Sequence, residues 1–145
     1  MPTAQDILDK KTGDVAMIGE DSTVMEAARI MSDRHIGSTV VARGEKVVGI
    51  FSERDVLNRV VAKQLDPSTT LIKDVMTSPV ACCQPTTELT ECRIVMTEKR
   101  IRHLPVVHQG KLVGMISSGD ILALEHTQQQ RTIEYLHEYL HEGTR

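Results

Sequence analysis

Sliding the sequence by 65 residues lays Glu20–Leu57 over Pro85–Leu122 without a gap, and ten of the 38 aligned positions are identical. The matches are Glu26/Glu91, Met31/Met96, Ile36/Ile101, Val41/Val106, Lys46/Lys111, Val48/Val113, Gly49/Gly114, Ser52/Ser117, Asp55/Asp120 and Leu57/Leu122. Other pairs are conservative, among them Val24/Leu89, Ile30/Val95 and Val56/Ile121. Self-similarity of this kind marks one supersecondary unit used twice, and so small a unit cannot bury its own apolar face. Two copies are therefore expected to pack face to face about a pseudo-two-fold axis, with the cleft between them as the natural place for a ligand.

Each copy reads helix, strand, strand, helix. Behind Asp21, which aligns with Thr86 as a candidate N-cap, Val24, Ala27, Ala28 and Met31 recur at helical spacing. The β-branched runs Ser38–Ala42 and Leu104–His108 lead through turns at Gly44 and Gly110 into the strands Val47–Ser52 and Leu112–Ser117. Ser52 and Ser117 then open a second helix, which in the first copy stops near Leu65-Asp66-Pro67. Short lead-in segments, Ala4–Leu8 and Ile72–Met76, precede the copies. The expected fold class is α/β: repeat 1 over residues 1–65, a linker over 66–71, repeat 2 over 72–124 and a helical extension over 125–145, packed as one disc-like module. A helix from about Asp120 to Glu142 reaches on the order of 30 Å, long enough to clasp a second subunit, so a homodimer is expected.

Composition narrows the partners. The 17 Lys and Arg against 20 Asp and Glu give a net charge of −3, with no block of like charge, which argues against nucleic acid or an anionic membrane. Phe51, Tyr135 and Tyr139 are the only aromatic residues, so the core is aliphatic and a base is not expected to stack on a ring. No apolar run approaches the roughly 20 residues that span a bilayer, and the N-terminal stretch lacks the apolar segment of a signal peptide. A cytoplasmic protein with reduced thiols at Cys82, Cys83 and Cys92 is the expectation.

The best-preserved stretch is Gly49-Ile50-Phe51-Ser52-Glu53-Arg54-Asp55, matched by Gly114-Met115-Ile116-Ser117-Ser118-Gly119-Asp120. Ser-x-x-Asp at a strand-to-helix junction is a capping box, which leaves the Gly three residues earlier unexplained. The same geometry suits a ligand. A helix N-terminus offers amides to an anion, and a carboxylate accepts two hydrogen bonds from a vicinal diol, the two features a ribose phosphate presents. Both readings stand on these residues alone.

The repeat, with a Gly-h-h-Ser-x-x-Asp segment closing each copy and Arg102-His103-Leu104-Pro105-Val106-Val107 in the second, resembles a tandem pair of cystathionine β-synthase (CBS) domains from about Gln5 to Leu124. That resemblance implies a regulatory module without catalytic residues that binds AMP, ADP, ATP, NAD(H) or S-adenosylmethionine between the repeats and acts on a protein partner. By position, Asp55 and Asp120 would each read a ribose diol, with Ser52 and Ser117 near the phosphate or ribose. The backbone around Ile18, Ile36, Gly37, Ser38, Val80, Cys83 and Ile101 would line the adenine pockets. Arg54 aligns with Gly119, and Arg102-His103 with Gly37-Ser38, so the pockets differ; one stronger site, with Arg54, Arg102 and His103 on phosphates, is expected, the other being weaker, empty or occupied by the second half of a dinucleotide. The first copy also has Thr39-Val40 where the second keeps the family's Leu104-Pro105.

Two other readings compete. One is a dimerisation or scaffold module with a vestigial pocket. The other is a zinc hydrolase, because His137-Glu138-Tyr139-Leu140-His141 matches H-E-x-x-H, although no downstream third ligand follows. The apolar stripe Ile133, Leu136 and Leu140 accounts for the same segment as a terminal helix. Lys10 and Lys11, placed near the first pocket, could meet a phosphate but are expected to be solvated, His35 and His108 to lie at the surface, and Cys83 and Cys92 to be small core residues.

Overall fold

A computed structural model describes residues 1–11 and 13–143, with the backbone alone at 139 and 141–143. The first copy contains β1 (Met17–Gly19), α2 (Val24–Arg34), β2 (Ser38–Arg43), β3 (Lys46–Ser52) and α3 (Glu53–Asp55), which continues as a π-helix over Val56–Val61. The second contains α5 (Leu89–Lys99), β4 (His103–His108), β5 (Lys111–Ser117) and α6 (Ser118–Gly143). Two short helices, α1 (Ala4–Leu8) and α4 (Ile72–Val75), lead into the copies. Among the described residues, no helix is long and apolar enough to cross a membrane.

The hairpins superpose in register as the repeat requires. Ser38 pairs with Ser52 and Val40 with Ile50; His103 pairs with Ser117 and Pro105 with Met115. Each register shifts at the same place, between Val41 and Ala42 and between Val106 and Val107, and such a bulge turns the strand. The expected unit omitted one piece. β1 pairs in parallel with β2, and its counterpart is a parallel bridge from Cys83 to Val106, with the Cys83 amide donating to the Pro105 carbonyl at 2.9 Å. A three-residue strand is too short to show alternation in a sequence.

The helix starts also differ from expectation. The N-cap of α2 is Thr23, whose hydroxyl accepts from the Glu26 amide at 3.2 Å while the Glu26 carboxylate accepts from the Thr23 amide at 3.1 Å. This reciprocal pair satisfies two donors that Asp21 would leave open. In the second copy the N-cap is Glu88 rather than Thr86.

The lead-in helices cross over. Ala4 and Ile7 of α1 are buried with Leu89, Cys92, Met96, Leu104 and Ile116 of the second copy, while Ile72 and Val75 of α4 are buried with Val24, Met31, Val41 and Phe51 of the first. Backbone bonds fix the exchange: the Ala4 amide donates to Thr87 and the Ile72 amide to Ser22, at 2.9 and 2.8 Å. Each core thus takes one helix from the other copy's side of the linker, and packing interleaves segments that sequence order keeps apart.

The exchange explains the glycine that capping left over. A Cβ on Gly49 would lie 2.7 Å from the Met76 sulfur and 2.9 Å from the Thr77 carbonyl oxygen, and one on Gly114 would lie 2.5 Å from a methyl of Leu8. Both glycines make room for the crossing segment. A third buried group, Val40, Ile50 and Met115 with Val15 and Val80 against it, joins the two sheets. The start of α6 packs through Ile121 and Leu124; farther along, Ile133, Leu136 and Leu140 are exposed.

Candidate functional site

Both Ser-x-x-Asp segments cap the helix that follows them. The Ser52 amide donates to Asp55 Oδ2 at 3.0 Å, and the Ser117 amide to Asp120 Oδ2 at 2.8 Å. Capping does not exhaust either carboxylate. Asp55, only 6% exposed, also accepts from the Thr77 hydroxyl at 3.1 Å and lies 3.5 Å from the Arg59 guanidinium. Arg59 is itself anchored by its 2.7 Å bond to the Met76 carbonyl.

Asp120 has a different companion. The Lys11 ammonium donates to Asp120 Oδ2 and to the Met115 carbonyl, both at 2.8 Å, which corrects the expectation that Lys11 is merely solvated. Burial by itself pushes the Asp120 carboxyl up, but the bonds from Lys11 and the Ser117 amide outweigh it and hold the group below the usual carboxylate range.

Asp55 opens onto a cleft of about 600 Å³ between the copies. Of the expected site residues, Gly37, Ser52, Arg54, Asp55, Val80, Ile101, Arg102 and His103 line it together. The remaining ones stand elsewhere. Ile18 belongs to the first core, Cys83 to the second, and Ser38 is buried at the start of β2. Ile36 lines an outer groove with His35 and Leu57, while Ser117 and Asp120 form the second junction.

The cleft also gathers residues the sequence reading did not single out: Asn58, Arg59, Thr77, Lys99 and Arg100. Arg59 was accessible in principle, four residues after Asp55 and so on the same helical face. Thr77 was not, because only the exchange of α4 brings it to Asp55. The lining holds five cations, Arg54, Arg59, Lys99, Arg100 and Arg102, against Glu53 and Asp55, a local charge of 5 − 2 = +3 in a chain of net −3. Burial lowers the pKa of His103; Lys11 and Arg102 push the same way, and Asp120 and Glu53 oppose them. The imidazole is therefore neutral at pH 7.

Cys83 and Cys92 are buried as expected, and His35 and His108 are exposed. His137 and Glu138 lie on α6, but the side chain of His141 lies outside the described residues.

The fold and cleft define a class: two exchanged α/β repeats enclosing a cationic pocket with a capped carboxylate at its wall. The CBS domain family profile matches residues 4–62 and 72–126, and the chain belongs to that family. Its pairs are regulatory modules. A mitochondrial CBS domain-containing protein of Arabidopsis thaliana is 30% identical over 128 residues, covering 85% of this chain and 62% of that protein. An uncharacterized protein of Methanopyrus kandleri is 34% identical over 114 residues, 77% of this chain and 58% of its own length, so the chain spans about three fifths of these two relatives. Among solved structures, a CBS-domain protein from Agrobacterium tumefaciens has a TM-score of 0.79 at 34% identity, covering 86% of this chain and 99% of that one. The CBS pair of MJ0100, solved with 5′-methylthioadenosine and S-adenosyl-L-methionine, shares the fold with a TM-score of 0.76 at 23% identity, covering 88% of this chain and 98% of that one.

Proposed function

We propose that this chain is a non-catalytic sensor that binds an adenosine-containing nucleotide in the cleft at Asp55 and reports energy or redox state to a protein partner. The observation that carries the reading is the excess of cations around a half-enclosed carboxylate in a chain that is acidic overall. Asp55 accepts the ribose diol, the backbone of Val80 and Ile101 faces the base, and Arg54, Arg102 and His103 take the phosphates. A local charge of +3 favours ligands with several phosphate charges, ATP or ADP over AMP, and disfavours the sulfonium of S-adenosylmethionine. The adenosine ligands of MJ0100 support the general ligand class through the shared fold.

The mechanism is differential binding. Residues of both copies line the cleft, so a nucleotide favours the arrangement in which they close on it, and a partner that reads this arrangement is regulated. Self-association belongs to the same reading: Ile133, Leu136 and Leu140 form an apolar stripe on α6, 60, 51 and 64% exposed, which a second copy would cover in a homodimer.

Calorimetric titration with ATP, AMP, NADH and GMP tests the ligand, and sedimentation of the same samples tests the dimer. Saturable binding of ATP, weaker binding of AMP and none of GMP is expected; heat from GMP equal to that from ATP, or silence from every adenine nucleotide, rejects the reading.

A pH dependence follows from His103. A phosphate beside the neutral imidazole raises its proton affinity, so binding takes up protons and tightens as pH falls from neutral toward the lowered pKa of the free His103. Titrations at stepped pH values are expected to show this slope in the parent chain and to lose it in His103→Gln.

A further inference from the structure

The two carboxylates at corresponding positions of the repeat are not equally available. Ile50 and Asp55 align with Met115 and Asp120. In the first copy both acceptors are hydrogen-bonded by a neutral residue, the Thr77 amide donating to the Ile50 carbonyl at 2.8 Å and the Thr77 hydroxyl to Asp55 at 3.1 Å, while the Arg59 guanidinium, bonded to the Met76 carbonyl, stands off Asp55 at 3.5 Å. In the second copy the Lys11 ammonium meets both, at 2.8 Å each.

Packing places the lysine there. The Lys10 and Lys11 amides bond to the Ile7 and Leu8 carbonyls at 3.0 and 3.2 Å, a turn that directly follows α1, whose Ala4 and Ile7 are buried in the second core. Leu8 sits against Gly114, one residue before Met115. The helix exchange therefore carries Lys11 to Asp120.

The chemical consequence differs between the copies. A hydroxyl donates one bond and also accepts, so Thr77 can remain beside a diol that approaches Asp55. An ammonium only donates, and it brings the full charge that a carboxylate prefers as a partner. A neutral ribose diol would have to displace it. The lysine is 41% exposed and Asp120 27%, so displacement is an exchange with water rather than a break in the core.

Resting on the nucleotide reading of the first cleft, we propose that Lys11 is a built-in occupant of the position that corresponds in the repeat to the first ribose site: it satisfies Asp120 in place of a diol, limits the chain to one nucleotide, and leaves the second junction available only when its ammonium is displaced. Lys11 thus decides which of two related sites is used.

Calorimetric titration of the full chain with ATP, run on the parent and on Lys11→Met and Lys11→Gln, reads the stoichiometry. About one equivalent is expected for the parent and about two for each variant, with a return to about one in Lys11→Met combined with Asp120→Ala. One equivalent throughout overturns the proposal and leaves the first-cleft reading intact. Two equivalents in the parent, with the second weakened in Lys11→Met, also overturn it, because Lys11 would then bind the ligand. No binding to the parent and one equivalent to Lys11→Met would reject the first-cleft reading, and with it the limit of one nucleotide per chain, while leaving Lys11 as the occupant at Asp120; no binding to either rejects both. A second readout needs no ligand. Lys11, Arg102, Asp120 and Glu53 all act on His103, and removal of the lysine cation is expected to move the His103 NMR titration to higher pH. An unmoved titration would mean that Lys11 does not occupy this position in solution.

Discussion

Asp55→Ala is expected to weaken ATP binding by roughly 10- to 100-fold, the loss that follows from removing about 1.5–3 kcal/mol of charge-assisted hydrogen bonding to the ribose. The size of the effect rests on where the carboxylate stands. It is nearly buried at the cleft wall, oriented by the Ser52 amide and Thr77 hydroxyl, so little conformational freedom remains to be lost when a diol arrives. The same substitution removes a helix cap and leaves the Ser52 amide without that acceptor, which costs about 1 kcal/mol of stability. Asp55→Asn separates the two effects. It keeps an acceptor for the cap, and thermal unfolding should place it close to the parent, while calorimetry should still record weaker ATP binding because the negative charge is gone. ATP affinity equal to the parent's in both variants would remove Asp55 from the site.

Phe51→Ala is expected to cost about 3–5 kcal/mol and to lower the melting temperature by roughly 10–20 °C. Phe51 is the sole phenylalanine and is fully buried on β3, among Val24, Met31, Val41 and Val60 of its own copy and Ile72 and Val75 of the exchanged helix α4. Its removal leaves a cavity where both copies contribute walls, and domains of this size have only about 5–15 kcal/mol of net stability. Phe51→Leu, closer in volume, should cost less. Differential scanning calorimetry checks the order; an Ala variant that melts within a few degrees of the parent would mean that the core collapses around the gap. Because Phe51 immediately precedes Ser52, nucleotide binding by the Ala variant should weaken even below its melting temperature.

Much of the architecture was legible because a repeat gives each segment two readings. Gly49/Gly114, Ser52/Ser117 and Asp55/Asp120 pinned the strand-to-helix junction twice; the capping bonds form in both copies, and Ser52 and Asp55 in addition line a cleft. Arg54, Arg102 and His103 could be assigned to one cleft because their counterparts are Gly119, Gly37 and Ser38. The strand β1 escaped the pattern, being three residues long, and the cap of α2 was placed two residues early, at Asp21, because the reciprocal role of Glu26 with Thr23 depends on where the first turn begins.

Local pattern and internal repetition by themselves determined the two hairpins, the amphipathic helices, the differing residues at corresponding positions of the copies and the candidate carboxylates, since these follow from residue spacing within one segment and its repeat. The tertiary structure decided the exchange of α1 and α4, and with it the role of both glycines, the arrival of Thr77 at Asp55 and of Lys11 at Asp120. Those contacts join residues separated by as few as 22 and as many as 109 positions. Hydrophobic periodicity states that a helix has an apolar face but not which of two similar cores will bury it, and that choice is made only when both cores are packed.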